Sequence, residues 1–384
     1  MSLILSPFWR AVGIIAGMII GSGMFALPYS VYRSGLEMSA FNAVLAFVAV
    51  LAIHLAYGEI VANTSHSHRL PGYVREYIGT KWGRLEFVLQ IAAFNAVLVV
   101  YAILGGLFLN TFFAGTLESA IEWTAAIFIS AGVIFLVGSV GAIGTINFLL
   151  TLPLVFGGAL LFWYALGNGT TANLTALDGS DPIFSFSVFL FALAGLSVIA
   201  DTKTLFAQYD KKESGIFLRR AIIAGTSIPF ALYCLFVFST LYLSGNATTT
   251  EAINGLQPVI GENAARAAAL LGFFAIFTSY LALGYDMRKI YEIDGGISRG
   301  FSWALLFLVP PAIFLFGSRD FLNLMSLVGG FFVALDGVFV ILILRALRKK
   351  ETPEERFLPL GSFAQLALIA LFILSAFYEL IILF

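Results

Sequence analysis

Apolar runs of membrane length follow one another along almost the whole chain, separated by short polar or charged connections. The pattern predicts eleven spans, at roughly 9–33, 38–62, 85–114, 123–139, 146–166, 184–208, 219–244, 262–285, 301–317, 321–345 and 360–384. Two of them are interrupted. Residues 13–35, GIIAGMIIGSGMFALPYSVYRSG, carry Gly21, Ser22 and Gly23 at mid-length and a second breaker, Pro28, soon after. Residues 184–206, FSFSVFLFALAGLSVIADTKTLF, carry Ala194, Gly195 and Leu196 at the middle and Asp201 in the inner half. Breaks at mid-depth free carbonyls before them and amides after them, and lipid has no replacement partners to offer. They belong where the chain faces protein or a watery cavity, and there the freed groups bind a ligand. Interruption of the first and sixth spans is the layout of two five-helix repeats, and an odd repeat length makes the second copy enter from the opposite side. The expected molecule is an all-α membrane protein with eleven transmembrane helices. Its core covers 1–345, with repeat one at 9–166 and repeat two at 184–345, and 360–384 adds an eleventh helix.

Composition agrees with that class. Of the 384 residues 60% are hydrophobic and 11% charged, and the mean hydropathy is +0.96, more apolar surface than a soluble domain of this length can hide. The first span is too long for a signal peptide and lacks a small-residue cleavage site. With the N-terminus on the cytoplasmic side, 18 of the 21 basic residues fall in inner connections, and only Arg33, Arg266 and Arg319 fall outside. That asymmetry places the N-terminus in the cytoplasm and the C-terminus outside. A net charge of −1 implies no nucleic-acid partner, and the single cysteine, Cys234, excludes an internal disulfide framework.

Gly17 to Pro28, GMIIGSGMFALP, resembles the first-helix signature of the amino acid/auxin permease family. The stretch 192–202, ALAGLSVIADT, is similar to that family's sixth helix, with Asp201 in place of a commoner proline–acid pattern. The resemblance implies membership of the amino acid–polyamine–organocation superfamily and the LeuT fold, with discontinuous helices 1 and 6. Eleven spans with an external C-terminus also resemble the bacterial aromatic amino acid permeases of that group. The implied activity is secondary active import of a neutral amino acid, aromatic or aliphatic, across the cell membrane. Substrate and lipid bilayer are then the only partners expected, with no organic cofactor and no obligatory protein partner.

An α-amino acid presents a carboxylate and an ammonium at fixed separation. Amides of Ser22, Gly23 and Met24, at the start of the outer half-helix, suit the carboxylate and add the positive end of the helix dipole. Carbonyls near Ile19 and Gly21, and near Ala192 and Leu193, suit the ammonium, with Ala194 and Gly195 completing the second break. Glycine at these points permits close approach to the backbone. Side-chain selection is expected from Phe25, Phe189 and Phe191, and from Asn95 or Tyr101 in the third span.

For energy coupling, Ala275, Thr278 and Ser279 stand at i, i+3 and i+4 on one face of the eighth span. With carbonyls of Gly17 and Ile20 they form a five-oxygen set for a singly charged hard cation, and the set resembles the second sodium site of LeuT-fold transporters. The alternative for the two hydroxyls is bonding back to their own helix. Proton-coupled relatives often carry a lysine in the fifth span, and 146–166 holds neither Lys nor Arg, which favours sodium. The rival is a proton-coupled symporter using an intramembrane titratable group among His54, Glu59, Asp201, Asp286, Asp336 and Glu379; of these His54 and Asp336 fall near mid-span, the alternatives being a satisfied core histidine for His54 and a neutral carboxyl hydrogen-bonded within the bundle for Asp336. An amino acid sensor would use the same pocket. An enzyme is not expected, because no paired acids, His-rich motif or Ser-His set stands at catalytic spacing.

Overall fold

The computed structural model describes residues 6–64, 68–114, 121–128, 130, 140–317, 319–350 and 356–383. The first span is two helices, α1 (Pro7–Ile19) and α2 (Gly23–Ser34), bent by 52° at the break between them. Ser6 starts α1, its hydroxyl accepting from Trp9 N at 3.4 Å with Pro7 in the first turn, where a missing N–H costs nothing. Pro28 lies buried inside α2 without ending it, so the expected second break is absent and the interruption is confined to 20–22. Gly35, at φ 77°, turns the chain directly into α3 (Leu36–Asn63).

A short helix, α4 (Leu70–Tyr77), precedes α5 (Thr80–Phe113). Residues 121–128 form α6, and 131–139 of the expected fourth span lie outside the described residues. Next come α7 (Val140–Asn168) and the short α8 (Thr171–Thr175). The sixth span is α9 (Phe184–Ala192), an unwound 193–195, a 3-10 turn and α10 (Ile199–Thr202). The chain continues with α11 (Lys211–Ser244), α12 (Ile253–Ile260), α13 (Glu262–Lys289), α14 (Arg299–Phe316), α15 (Phe321–Leu327), a π-helical turn Val328–Val333, α16 (Ala334–Lys350) and α17 (Ser362–Leu383). Among the described residues eight helices are long and apolar enough to cross a membrane, or nine with the bent pair taken as one span.

Burial sorts these helices into a centre and a rim. The membrane-length windows of α3 and of the sixth span are 72% buried and that of α5 is 67%, against 22% for α14 and 28% for α17. The rim presents large apolar side chains outward, with Phe316 89% and Phe363 86% exposed, as a lipid-facing surface requires. At the centre α2 packs on α9, α1 on α11, and α5 on α13, so both broken spans are enclosed by intact ones.

Candidate functional site

The two breaks touch. A Cβ on Gly23 would stand 2.5 Å from Ala192 Cα, and one on Gly195 would stand 2.7 Å from Ile19 Cγ1. These glycines therefore bring the two half-helices into contact, a correction to the expectation that a ligand uses the space. Gly21 is different, since its absent Cβ meets Ser279 Oγ at 3.4 Å and Tyr101 Oη at 3.8 Å. It opens towards polar side chains.

Two residues hold the breaks: Tyr233, which sequence reasoning passed over, and His54, which it also read as a satisfied core histidine. The hydroxyl of Tyr233, on α11, lies 2.5 Å from Ile19 O and 3.1 Å from Ala192 O, sharing one proton between the last carbonyls of both inner and outer half-helices. Those are two of the carbonyls expected to face an ammonium, and each keeps one lone pair for it. His54, on α3, accepts from Gly195 N–H through Nε2 at 3.2 Å, which leaves the Nδ1 proton directed at Thr226 Oγ1, 3.0 Å away. It is a neutral, fully buried histidine that satisfies the amide freed by the second break. A tyrosine midway along a largely apolar span was the available signal for Tyr233.

The first break is less satisfied. Ser22 precedes α2 without a side-chain cap, and its buried hydroxyl faces Tyr101 without a well-formed hydrogen bond. Of the first-turn amides Phe25 N reaches Ser22 O at 3.2 Å, whereas Gly23 N and Met24 N have no acceptor among the described residues. Two amides, a hydroxyl and the helix dipole thus converge in an arrangement that suits an anion.

Cavities lie on either side, inner and outer in the orientation that the basic residues predict. The inner one, about 80 Å³, is lined by Met18, Gln90, Tyr101, Phe191, Ala194, Gly195 and Asp336 among others. The outer one, about 370 Å³ and almost wholly apolar, is lined by Met24, Phe25, Leu154, Tyr164, Phe236 and Leu271 among others. Phe25 packs edge-on against Phe108 and Phe236, at ring centroids 4.7 and 5.9 Å. Of the expected selectors, Tyr101 and Phe191 face the inner cavity and Phe25 the outer. Phe189 is buried in α9 and Asn95 Nδ2 donates to Ile91 O one turn back; neither lines a cavity described here.

The proposed cation oxygens have mixed surroundings. Thr278 Oγ1 donates to Phe274 O and Ala275 O, each at 3.0 Å, and Ser279 Oγ donates to Ala275 O at 3.0 Å. Both hydroxyls bond back to their own helix while keeping lone pairs. Ser279 is beside Gly21, and Ile20 has left the helix with extended backbone at ψ 94°.

Below the inner cavity, Arg69 joins three elements. Its Nη1 donates to Ser197 O at 2.8 Å, its Nη2 to the Asp201 carboxylate at 2.8 and 3.0 Å, and Asp286 Oδ1 lies 3.1 Å away. Lys289 Nζ adds a contact to Asp201 at 3.2 Å. Burial works against the charge of Arg69, yet Asp286 and Asp201 hold the guanidinium above its ordinary range. Two acids weighed as proton carriers are therefore ion-paired, as is Glu59, which takes Arg348 at 2.7 and 2.8 Å.

The comparisons with known proteins match this geometry. The structure of MhsT in complex with L-phenylalanine aligns over 97% of both chains with a TM-score of 0.64 at 16% identity, and so shares the fold. The low affinity tryptophan permease of Escherichia coli K12 is 23% identical over 340 residues, covering 80% of this chain and 79% of the relative. The tyrosine-specific transport system 2 of Haemophilus influenzae is 24% identical over 346 residues, 82% of each. The model of the tryptophan/tyrosine permease family matches residues 6–379. The family is an amino acid permease family, as the first-helix signature implied, but it is not the amino acid/auxin permease family that the signature resembles. With two broken helices meeting around unsatisfied peptide groups, and with that match over nearly its whole length, the chain belongs to the tryptophan/tyrosine permease family and is an amino acid transporter, not an enzyme.

Proposed function

We propose that this protein imports a neutral aromatic amino acid, tryptophan or tyrosine, by alternating access around the two breaks. The carrying observation is the unsatisfied set at the first break, Ser22 Oγ with Gly23 N and Met24 N, opposite the carbonyls of Ile19 and Ala192. The set takes the substrate carboxylate and ammonium without a charged side chain, and the aromatic ring lies against Tyr101 and Phe191 or Phe25. Substrate names of the relatives support the aromatic class.

In this reading the chain crosses the cell membrane eleven times, with 123–139 as the fourth span, repeats at 9–166 and 184–345, and 360–384 outside the repeats. The basic-residue distribution keeps the N-terminus cytoplasmic and the C-terminus external. The Arg69 cluster is then the inner gate, closed here by one cation on Ser197, Asp201 and Asp286. Opening it requires α10 to part from α13 and from the connection after α3. Sodium is the proposed driver, held by Gly17, Ile20, Ala275, Thr278 and Ser279, where it would bridge the first break to α13.

Purified protein in proteoliposomes tests this by uptake of labelled tryptophan and tyrosine, with sodium and pH gradients imposed separately. Saturable uptake of either amino acid is expected, stimulated by inward sodium and lowered about tenfold by Thr278→Ala, the loss of one cation ligand. Failure to transport any aromatic amino acid overturns the substrate reading. Equal uptake in sodium-free buffer overturns sodium as the driver.

A further inference from the structure

The last helix, α17, has no task in the function proposed above, yet three polar side chains mark one of its faces. Ser375, Tyr378 and Glu379 stand at i, i+3 and i+4 in an otherwise apolar helix. Tyr378 reaches the chain where both broken spans have their outer ends. Asp181, just ahead of α9, takes Arg33 of α2 on Oδ2 at 3.0 Å and the Tyr378 hydroxyl on Oδ1 at 2.6 Å. Further bonds join the same stretch to α2 and α3. Ser34 Oγ donates to Asp181 O at 2.7 Å and accepts from Ser185 N at 2.9 Å, and Asn42 Nδ2 reaches Pro182 O at 2.7 Å. The ends of α2, α3 and α9 are therefore one body, and Tyr378 ties that body to α17.

The other two polar groups fix α17 to the irregular helix beside it. Ser375 Oγ donates to Gly330 O at 2.9 Å, inside the π-helical turn Val328–Val333. Such a turn runs its hydrogen bonds one residue longer than an α-helix and frees a carbonyl, for which Ser375 supplies the donor. Glu379 Oε1 accepts from Ser326 Oγ of α15 at 2.8 Å, just before the turn. Gly329 and Gly330 let both neighbours approach, since a Cβ on Gly329 would collide with Ser187 O of α9 and one on Gly330 with Glu379 of α17. Apolar contact between helices in lipid has little preference for one register, whereas these directional bonds hold a single one. α17 is thus anchored on the π-helical turn and holds Asp181 from there.

We propose that Tyr378 is a positioning residue that clamps the joined outer ends of α2 and α9 against the π-helical turn, and that its bond to Asp181 breaks each time the substrate site opens outward. Opening on that side needs α9 to leave Gly329 and Asp181 to leave Tyr378. Arg33 stays with Asp181, because both ride on the same body. A hydrogen bond present only in the closed form weights the population towards that form, so losing the phenol shifts the protein towards outward-open. This rests on the alternating-access reading and gives α17 its part in it.

The test uses the full chain in proteoliposomes with Ser187→Cys as reporter in a Cys234→Ser background. Ser187 is fully buried against the two glycines, so its replacement reacts with an external membrane-impermeant maleimide only when that contact parts. Tyr378→Phe should raise the labelling rate about tenfold, the weight of one hydrogen bond to a carboxylate. It should also lower both the external tryptophan concentration for half-maximal uptake and the maximal rate. Unchanged labelling in folded Tyr378→Phe overturns the proposal, as does a fall in maximal rate with unchanged half-saturation, the mark of a merely structural loss. Should Tyr378→Phe not fold, labelling of the reporter with Tyr378 in place decides: a several-fold fall on saturating external tryptophan supports the clamp, and a flat profile overturns it. Labelling needs no transport. Absence of tryptophan counterflow in the unaltered protein therefore removes the transport reading separately.

Discussion

The first and second breaks do the same thing to the backbone and are treated differently by their surroundings. At 193–195 the freed amide of Gly195 is taken by His54, and the following turns are tied to Arg69 through Ser197 O. At 20–22 the outer half-helix starts at once, without a side-chain cap, and Gly23 N, Met24 N and Ser22 Oγ stay unmatched. One break is plugged and latched, and the other is open. A buried unmet donor costs about 1–3 kcal/mol, a cost that a substrate carboxylate would recover on binding. In the function proposed above, the open break is the recognition surface and the latched one is the moving part.

The comparison can be broken from the latched side first. Arg69→Gln leaves Asp286 buried without its cation, a loss of about 3–5 kcal/mol by analogy with other buried pairs, and should favour the inward-open form. A cysteine at Ser197 in a Cys234→Ser background should then react faster with a maleimide on the Arg69 side, and an unchanged rate counts against the latch. Gly23→Val drives a side chain into Ala192, and a cost of about 1–3 kcal/mol in overpacking should abolish uptake and lower the melting temperature. His54→Ala exposes the same kind of deficit at the second break that the first carries natively. It should cost about 1–3 kcal/mol in thermal unfolding, with partial recovery in His54→Gln, whose side-chain oxygen can accept from Gly195. The mildest change is Tyr233→Phe, which removes a hydroxyl shared by both breaks and should cost about 1 kcal/mol. Uptake falling in Tyr233→Phe with unchanged melting would show that the bridge serves motion more than stability.

Much of this was legible in the residue order. Glycines at 21, 23 and 195 mark the interruptions because few other residues permit such close helix contact, and the observed unwound segments lie at those positions. Pro28 was misread, since a proline in a helix can be tolerated when its surroundings absorb the lost hydrogen bond, and surroundings are not visible in a single span. Tyr233 and Arg69 were not marked as site residues, for one reason. Each acts on groups in other elements, on Ile19 and Ala192 and on Ser197 and Asp201 respectively.

By itself the sequence determined that this chain is helical and membrane-embedded, and that its first and sixth spans are broken, because hydropathy and backbone permissiveness are local properties of residues. Which freed peptide groups are already satisfied, and which await a ligand, was decided only by tertiary structure. Hydrogen bonding pairs groups by position in space, and the partners here stand far apart in the chain: Gly195 and His54 by 141 residues, Ile19 and Tyr233 by 214, and Ala192 and Tyr233 by 41.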